Sequence, residues 1–315
     1  MSVEAQANAI RMEIGKAIAG QEKTIEQILV AVLANGHVLL EGVPGVAKTL
    51  TIRALAKALS LDYGRIQFTP DLMPSDVVGT NVYDSKANEF KLRKGPIFVN
   101  VLLADEINRT PPKTQAALLE SMEERRVTID GEPYPLPPPF LVFATQNPID
   151  FEGTYPLPEA QQDRFLMKVV VDYPTPEAEI SVLQRHHNGF RPQSLESAGI
   201  SPVISADDLA QMQAEVAKVT VEDKVFNYIY EMVKATRTSH DLLVGGSPRA
   251  GIALLNGSKA LAALRGRDFV IPDDVKELAL PVLRHRVLLR PEAEVEGYNS
   301  DKVLTGIIAA QVVPR

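Results

Sequence analysis

The 315-residue chain contains no cysteine and no tryptophan. The first absence removes disulfides and every thiolate metal site, and it suits a reducing, cytoplasmic setting. The second, with aromatics at only 6%, weakens any scheme that stacks nucleobases on rings. No apolar run approaches the ~20 residues that a membrane span requires. The start, Met1-Ser2-Val3-Glu4-Ala5-Gln6, has no basic stretch ahead of an apolar core, so no secretory leader is expected. Positive charge is also short: 33 Lys and Arg against 40 Asp and Glu give a net charge of −7, which argues against a nucleic-acid partner. The five histidines show no ligand spacing. His186 and His187 are adjacent, would point in different directions on a helix, and read as a solvated pair. What remains is 45% hydrophobic and 23% charged residues, ordinary for a globular chain with room for a large domain and a smaller one.

The most informative segment is Gly42-Val43-Pro44-Gly45-Val46-Ala47-Lys48-Thr49. The apolar run His37–Glu41 leads into it. A helix-period stretch follows, with Ile52, Leu55 and Leu59 on one face. Strand, Gly-rich turn and helix N-terminus together form the context of a phosphate-binding loop. Backbone N–H groups converge there on one anion, and the helix dipole favours negative charge. Lys48 adds a cation for the β- and γ-phosphates, and Thr49 offers a hydroxyl to Mg²⁺. Ala47 stands where the pattern usually has glycine. Helical φ/ψ at this residue would tolerate a Cβ, and that conformation is expected here.

Strand candidates alternate with helices beyond an amphipathic leading segment, residues 4–34, which breaks at Ala19-Gly20-Gln21. The strands are His37–Glu41, Arg65–Phe68, Val99–Ala104, Phe140–Ala144 and Phe165–Val171. The helices are Lys48–Leu59, Pro112–Glu123 and Pro176–His187. Short continuous apolar strands in this rhythm predict an α/β domain with a doubly wound parallel sheet. Two hairpins interrupt it, over residues 80–92 and 126–136, the second with the turn signal Asp130-Gly131. Pro, Gly and Ser accumulate over Asn188–Ser205, so domains are expected at 1–189 and 190–315. The second reads as a small helical bundle, with helices at 206–219, 222–238, 247–265 and 272–283 and no comparable strand signal.

Val101-Leu102-Leu103-Ala104-Asp105-Glu106 is an apolar strand ending in two carboxylates. At the C-terminal edge of a parallel sheet they would lie beside the loop. There Asp105 would hold Mg²⁺, directly or through water, and Glu106 would polarise an attacking water; the plain alternative is a cap for the next helix. Asn147, in Ala144-Thr145-Gln146-Asn147-Pro148, either orients that water or makes an Asx turn before Pro148. Arg164 precedes the last strand. Arg249 follows Ser247, a good N-cap, and Pro248, a good first helical residue. A cation in a first helical turn is disfavoured by the dipole, which suggests an external anion near Arg249. Either arginine could instead serve a surface ion pair.

These segments resemble the MoxR family of AAA+ ATPases along nearly the whole chain. The stretches that carry the likeness are Glu41–Thr49, Arg65–Asp76, Leu103–Arg109, Ala144–Pro148, Gly153–Phe165 and Ser247–Ala250. The resemblance implies an AAA+ P-loop domain with a five-stranded sheet and an α-helical lid. It also implies ATP and Mg²⁺ bound between neighbours of a homo-oligomeric ring, usually a hexamer. Both hairpins match insertions of the family's clade. Arg164 matches an arginine finger that reaches the neighbour's ATP, Arg249 matches a lid sensor, and Arg109 matches a residue of the subunit interface. Chaperone-like remodelling of protein clients is implied, with partners that carry a von Willebrand factor A domain. A chelatase-like motor and a nucleotide-gated platform with little turnover are the alternatives. A Ras-type GTPase is disfavoured, because no Asn-Lys-x-Asp signature occurs.

Overall fold

In a computed structural model, residues 2–148 and 153–314 are described. Helices α1 (Val3–Gly15) and α2 (Glu22–Leu33) come first, then β1 (Val38–Glu41), α3 (Lys48–Ala58) and β2 (Tyr63–Gln67). A short helix α4 (Pro74–Val78) leads into the hairpin β3 (Gly79–Asp84) and β4 (Glu89–Lys94). Next come β5 (Val101–Asp105), α5 (Pro112–Glu124), the hairpin β6 (Arg126–Ile129) and β7 (Glu132–Pro135), and β8 (Leu141–Gln146). Helix α6 (Glu159–Gln162), strand β9 (Met167–Val170) and α7 (Pro176–His187) follow. The remainder is α8 (Ala206–Ala217), α9 (Asp223–Thr238), β10 (Leu242–Val244), α10 (Pro248–Leu264), α11 (Pro272–Leu283), β11 (Leu288–Leu289), α12 (Pro291–Val295) and α13 (Ser300–Ala310).

Five strands form one parallel sheet in the order β2-β5-β8-β1-β9. The apolar runs of the inner strands β5, β8 and β1 are continuous because both faces are covered, whereas the edge strand β2 is largely uncovered. Alternation sends Val101, Leu103, Leu141 and Phe143 into one core and Leu102, Ala104, Val142 and Ala144 into the other. The first core runs without a break from α1–α3 into α8–α13. Gly257 of α10 marks a close approach there: a Cβ would lie 3.1 Å from Leu278 and 3.9 Å from Val30 of α2. The second core lies under α4, α5 and the two hairpins. Side by side, those hairpins are tied by Asn81 Nδ2 donating to Asp130 Oδ2 at 2.8 Å.

The five-stranded α/β domain and the helical lid are both present, but the helical part is not purely helical. β10 and β11 form an antiparallel pair, with Leu242 opposite Leu289. Strands of two or three residues carry no readable period. The turn at Asp130 (φ 52) and Gly131 (φ 86) has the left-handed pair that the Asp-Gly signal predicts. Ala47 is a correction. Its φ of 62 and ψ of 20 are left-handed rather than helical, and the residue caps α3 instead of continuing it.

Candidate active site

The carboxyl ends of β1, β5 and β8 open together into a cleft of about 760 Å³. Chain direction explains the convergence. From β1 the chain crosses to β2 and returns through β5 and β8, then passes to β9 on the other side of β1. Ligands of such sheets bind at this reversal. Pro44–Leu50, Asp105, Glu106 and Asn147 all line the cleft. Its apolar half comes from Ile18, Tyr173, Leu183 and Phe190, none of which the sequence alone marked as site residues.

Each part of the loop has a local cause. Gly42 lies so close to β9's continuation that a Cβ would sit 2.5 Å from the Val171 oxygen. Gly45 has φ +89, with open space where a Cβ would point. Lys48 opens α3 and donates to the Gly42 carbonyl. This places an ammonium where the helix dipole disfavours one. Burial lowers the Lys48 pKa, while Asp105, Glu106 and Glu41 oppose the shift. An anion bound at the loop would satisfy ammonium, dipole and free N–H groups at once.

The two carboxylates are wired together. Thr145 Oγ1 donates to Asp105 Oδ1 at 2.6 Å and accepts from the Glu106 N–H at 2.8 Å. Arg65 of β2 donates twice to Asp105 Oδ2, from Nε at 3.0 Å and Nη2 at 2.6 Å. Asp105 thus uses three of its roughly four lone-pair sites. Gln67 Nε2 donates to Glu106 Oε2 at 2.8 Å, and Arg109 approaches the same oxygen at 3.4 Å. Arg109, expected at a subunit interface, therefore pairs with a carboxylate of its own chain. Glu106 has φ 57 and ψ 49, a left-handed conformation that costs ~1–2 kcal/mol and is held by these contacts. Arg65, Gln67 and Thr145 were not read as site residues. Thr145 is a polar side chain on the otherwise buried β8, and Arg65 and Gln67 share one face of the edge strand β2; these were the available signals.

Comparison with known proteins gives a consistent result. Residues 37–167 match the ATPase family associated with various cellular activities (AAA), and residues 234–307 match the AAA lid domain. The chain is 44% identical to Chaperone MoxR1 of Mycobacterium tuberculosis, over 96% of this chain and 81% of that one. Protein MoxR of Paracoccus denitrificans is 33% identical, over 88% of this chain and 87% of that one. This chain belongs to the MoxR family of AAA+ ATPases. A further relative, the YeaC protein of Bacillus subtilis, is 49% identical over 96% of this chain and 92% of its own. A crystal structure of a Cytophaga hutchinsonii protein, provisionally assigned as an ATPase, superposes with a TM-score of 0.91 at 43% identity. That match covers 99% of this chain and 96% of the other.

In this MoxR-family fold, the two remaining arginines lie elsewhere. Arg249 was expected near an external anion, as a lid sensor. Instead it ion-pairs with Glu123 of α5, and Arg164 meets the same carboxylate at 3.0 Å. Both line a second cleft of about 320 Å³, together with Arg125, Asp163 and Arg286. The two clefts share no lining residue. Local signals had the helix right: Ser247 caps α10 and Pro248 opens it. They could not show which edge of the sheet this helix would reach.

Proposed function

We propose that this chain is a Mg²⁺-dependent ATPase whose active site is composite. One copy supplies the loop and both carboxylates, and a neighbour supplies Arg164 and Arg249. The observation that carries the reading is the convergence of Lys48, Asp105 and Glu106 on one cleft at the carboxyl ends of the strands. The donor set suits Mg²⁺. Among the described residues no group of three or more His, Asp and Glu could hold a metal alone, and Mg²⁺ typically takes one or two carboxylates plus substrate phosphates. Thr49 and Asp105 would hold it. Asp105 would act through water, because Arg65 and Thr145 already occupy most of its lone pairs. Bound there, the ion would neutralise charge on the β- and γ-phosphates.

Gly42–Thr49 would cradle the triphosphate with backbone N–H groups, with Lys48 reaching its end. Glu106 would take the proton of the attacking water, held by Gln67 and by its own N–H to Thr145. Asn147, at the tip of β8, would orient that water. Arg164 and Arg249 have no place in the cleft of their own chain, so a neighbouring copy would present them. Such head-to-tail contacts close into rings, and family likeness points to six subunits.

The work is assigned to remodelling or assembly of protein clients in the cytoplasm, in line with the chaperone name of the mycobacterial relative. A von Willebrand factor A protein is the expected partner class. The paired hairpins, with Tyr83 and Phe90 exposed, are the surface assigned to client contact. Glu106→Gln tests the chemistry. It should bind ATP as the wild type does and lose turnover by ~10²–10⁴-fold. Near-wild-type turnover would move water activation to another residue.

A further inference from the structure

Two arginines from distant parts of the chain can meet one anion only if something holds their backbones in register. We propose that Asp163 is a positioning residue that locks Arg164 and Arg249 into a single anion-receiving unit. The proposal rests on the composite-site reading and adds the device that aligns the donated half.

Asp163 immediately precedes Arg164, at the end of α6. Its Oδ1 accepts from Arg286 Nε at 2.7 Å, and its Oδ2 accepts from Ser247 Oγ at 2.8 Å. Arg286 is buried. Its other donors go to backbone carbonyls on both sides of Arg164, Nη2 to Asp163 at 3.1 Å and Phe165 at 2.6 Å and Nη1 to Leu166 at 3.0 Å, with Nη1 also donating to Val282 of α11 at 2.5 Å. His285 Nε2 also lies 3.2 Å from the Phe165 oxygen. The backbone of Arg164 is therefore pinned from both sides by residues beyond the end of α11.

The other half hangs on the second oxygen of Asp163. Ser247 caps α10, and its Oγ accepts from the Arg249 N–H at 3.1 Å while donating to Asp163. One carboxylate thus fixes the peptides of both arginines, and their side chains then meet at Glu123. A buried charge pair with its hydrogen bonds met is costly to break from one side. The arginine edge of the lid should accordingly move with the sheet, not hinge away from it. The geometry predicts that both guanidiniums arrive together at a neighbour's phosphates, so that loss of the lock misplaces both at once.

The test uses the full-length assembled protein and compares Ser247→Ala with Ser247→Thr. Threonine keeps both the cap and the hydroxyl donor. Alanine should lower kcat by ~10–100-fold, the range that small misplacements near a reacting centre produce. It should leave the KM for ATP and Mg-ATP affinity within about twofold, because Ser247 does not line the loop cleft, and threonine should restore kcat. Asp163→Asn should show the same split wherever it folds, judged by its melting curve. Ser247→Ala with wild-type kcat, or with loss in KM and affinity but not in kcat, overturns the lock. Arg164→Ala and Arg249→Ala, measured alongside, separate the two levels. If both keep full turnover, the composite-site reading fails. If both lose turnover while Ser247→Ala keeps it, only the lock fails.

Discussion

Acid should destabilise this protein well above the pH at which carboxylates titrate, through His37. This ring is buried just ahead of β1, where Nδ1 accepts from the Val142 N–H at 3.0 Å and Nε2 meets the Met122 carbonyl at 3.1 Å. Burial, aided by Arg125, lowers its pKa from the ordinary 6.5 to about 3. An imidazolium would lose its acceptor nitrogen opposite Val142 and carry a charge inside the core. Unfolding therefore takes up a proton at every pH between those two values, and stability falls as pH falls through this window. Each unit costs ~1.36 kcal/mol once the unfolded ring is fully protonated, which gives about 2 kcal/mol between pH 7.5 and pH 5. His285 is shifted the same way by burial and Arg286, so it adds to the slope. Urea unfolding at pH 7.5, 6.5, 5.5 and 5.0 measures the effect. His37→Gln should start less stable at pH 7.5 yet lose about 2 kcal/mol less on acidification. An unchanged pH slope in that variant would refute the assignment of the proton to His37.

Lys48→Ala should abolish tight ATP binding in a titration, since it removes the ammonium that lines the loop cleft; retained affinity would displace the phosphate-loop reading. Ala47→Gly should raise the melting temperature by the equivalent of ~0.5–1 kcal/mol, because glycine adopts φ near 62 without a Cβ penalty. A drop in stability would mean that the left-handed conformation is not the resting one. Arg65→Met should leave ATP affinity near normal and change the Mg²⁺ concentration needed for half-maximal turnover, because Asp105 loses its two Arg65 hydrogen bonds. An unaltered Mg²⁺ dependence would separate Arg65 from the metal-holding role proposed for Asp105.

The meeting of loop and carboxylates in one cleft was legible because each segment is local. Gly42–Thr49 and Val101–Glu106 each announce strand, turn and charge within a few residues, and the parallel sheet then brings them together. Pro176–His187 was readable to the residue, with Thr175 as its cap and proline at its start. What was not legible depends on contacts far apart in sequence. Arg65 and Gln67 meet Asp105 and Glu106 only because β2 lies beside β5. Arg249 lies beside Arg164 only because the lid packs on α2 and β9, a tertiary choice that no cap or propensity encodes. Ala47 misled for a related reason. Helix propensity favours alanine inside α3, but the loop needs a left-handed cap at that residue.

The central claim is that loop and arginines act from different copies of the chain. ATP turnover of mixtures tests it most directly. Lys48→Ala keeps both arginines, and an Arg164→Ala/Arg249→Ala double variant keeps the loop and both carboxylates. Each should be nearly inactive alone. Mixed after subunit exchange, they should regain turnover that peaks at intermediate ratios, because mixed interfaces pair an intact loop with intact arginines. Full turnover by the double variant alone, whatever the protein concentration, would contradict the account.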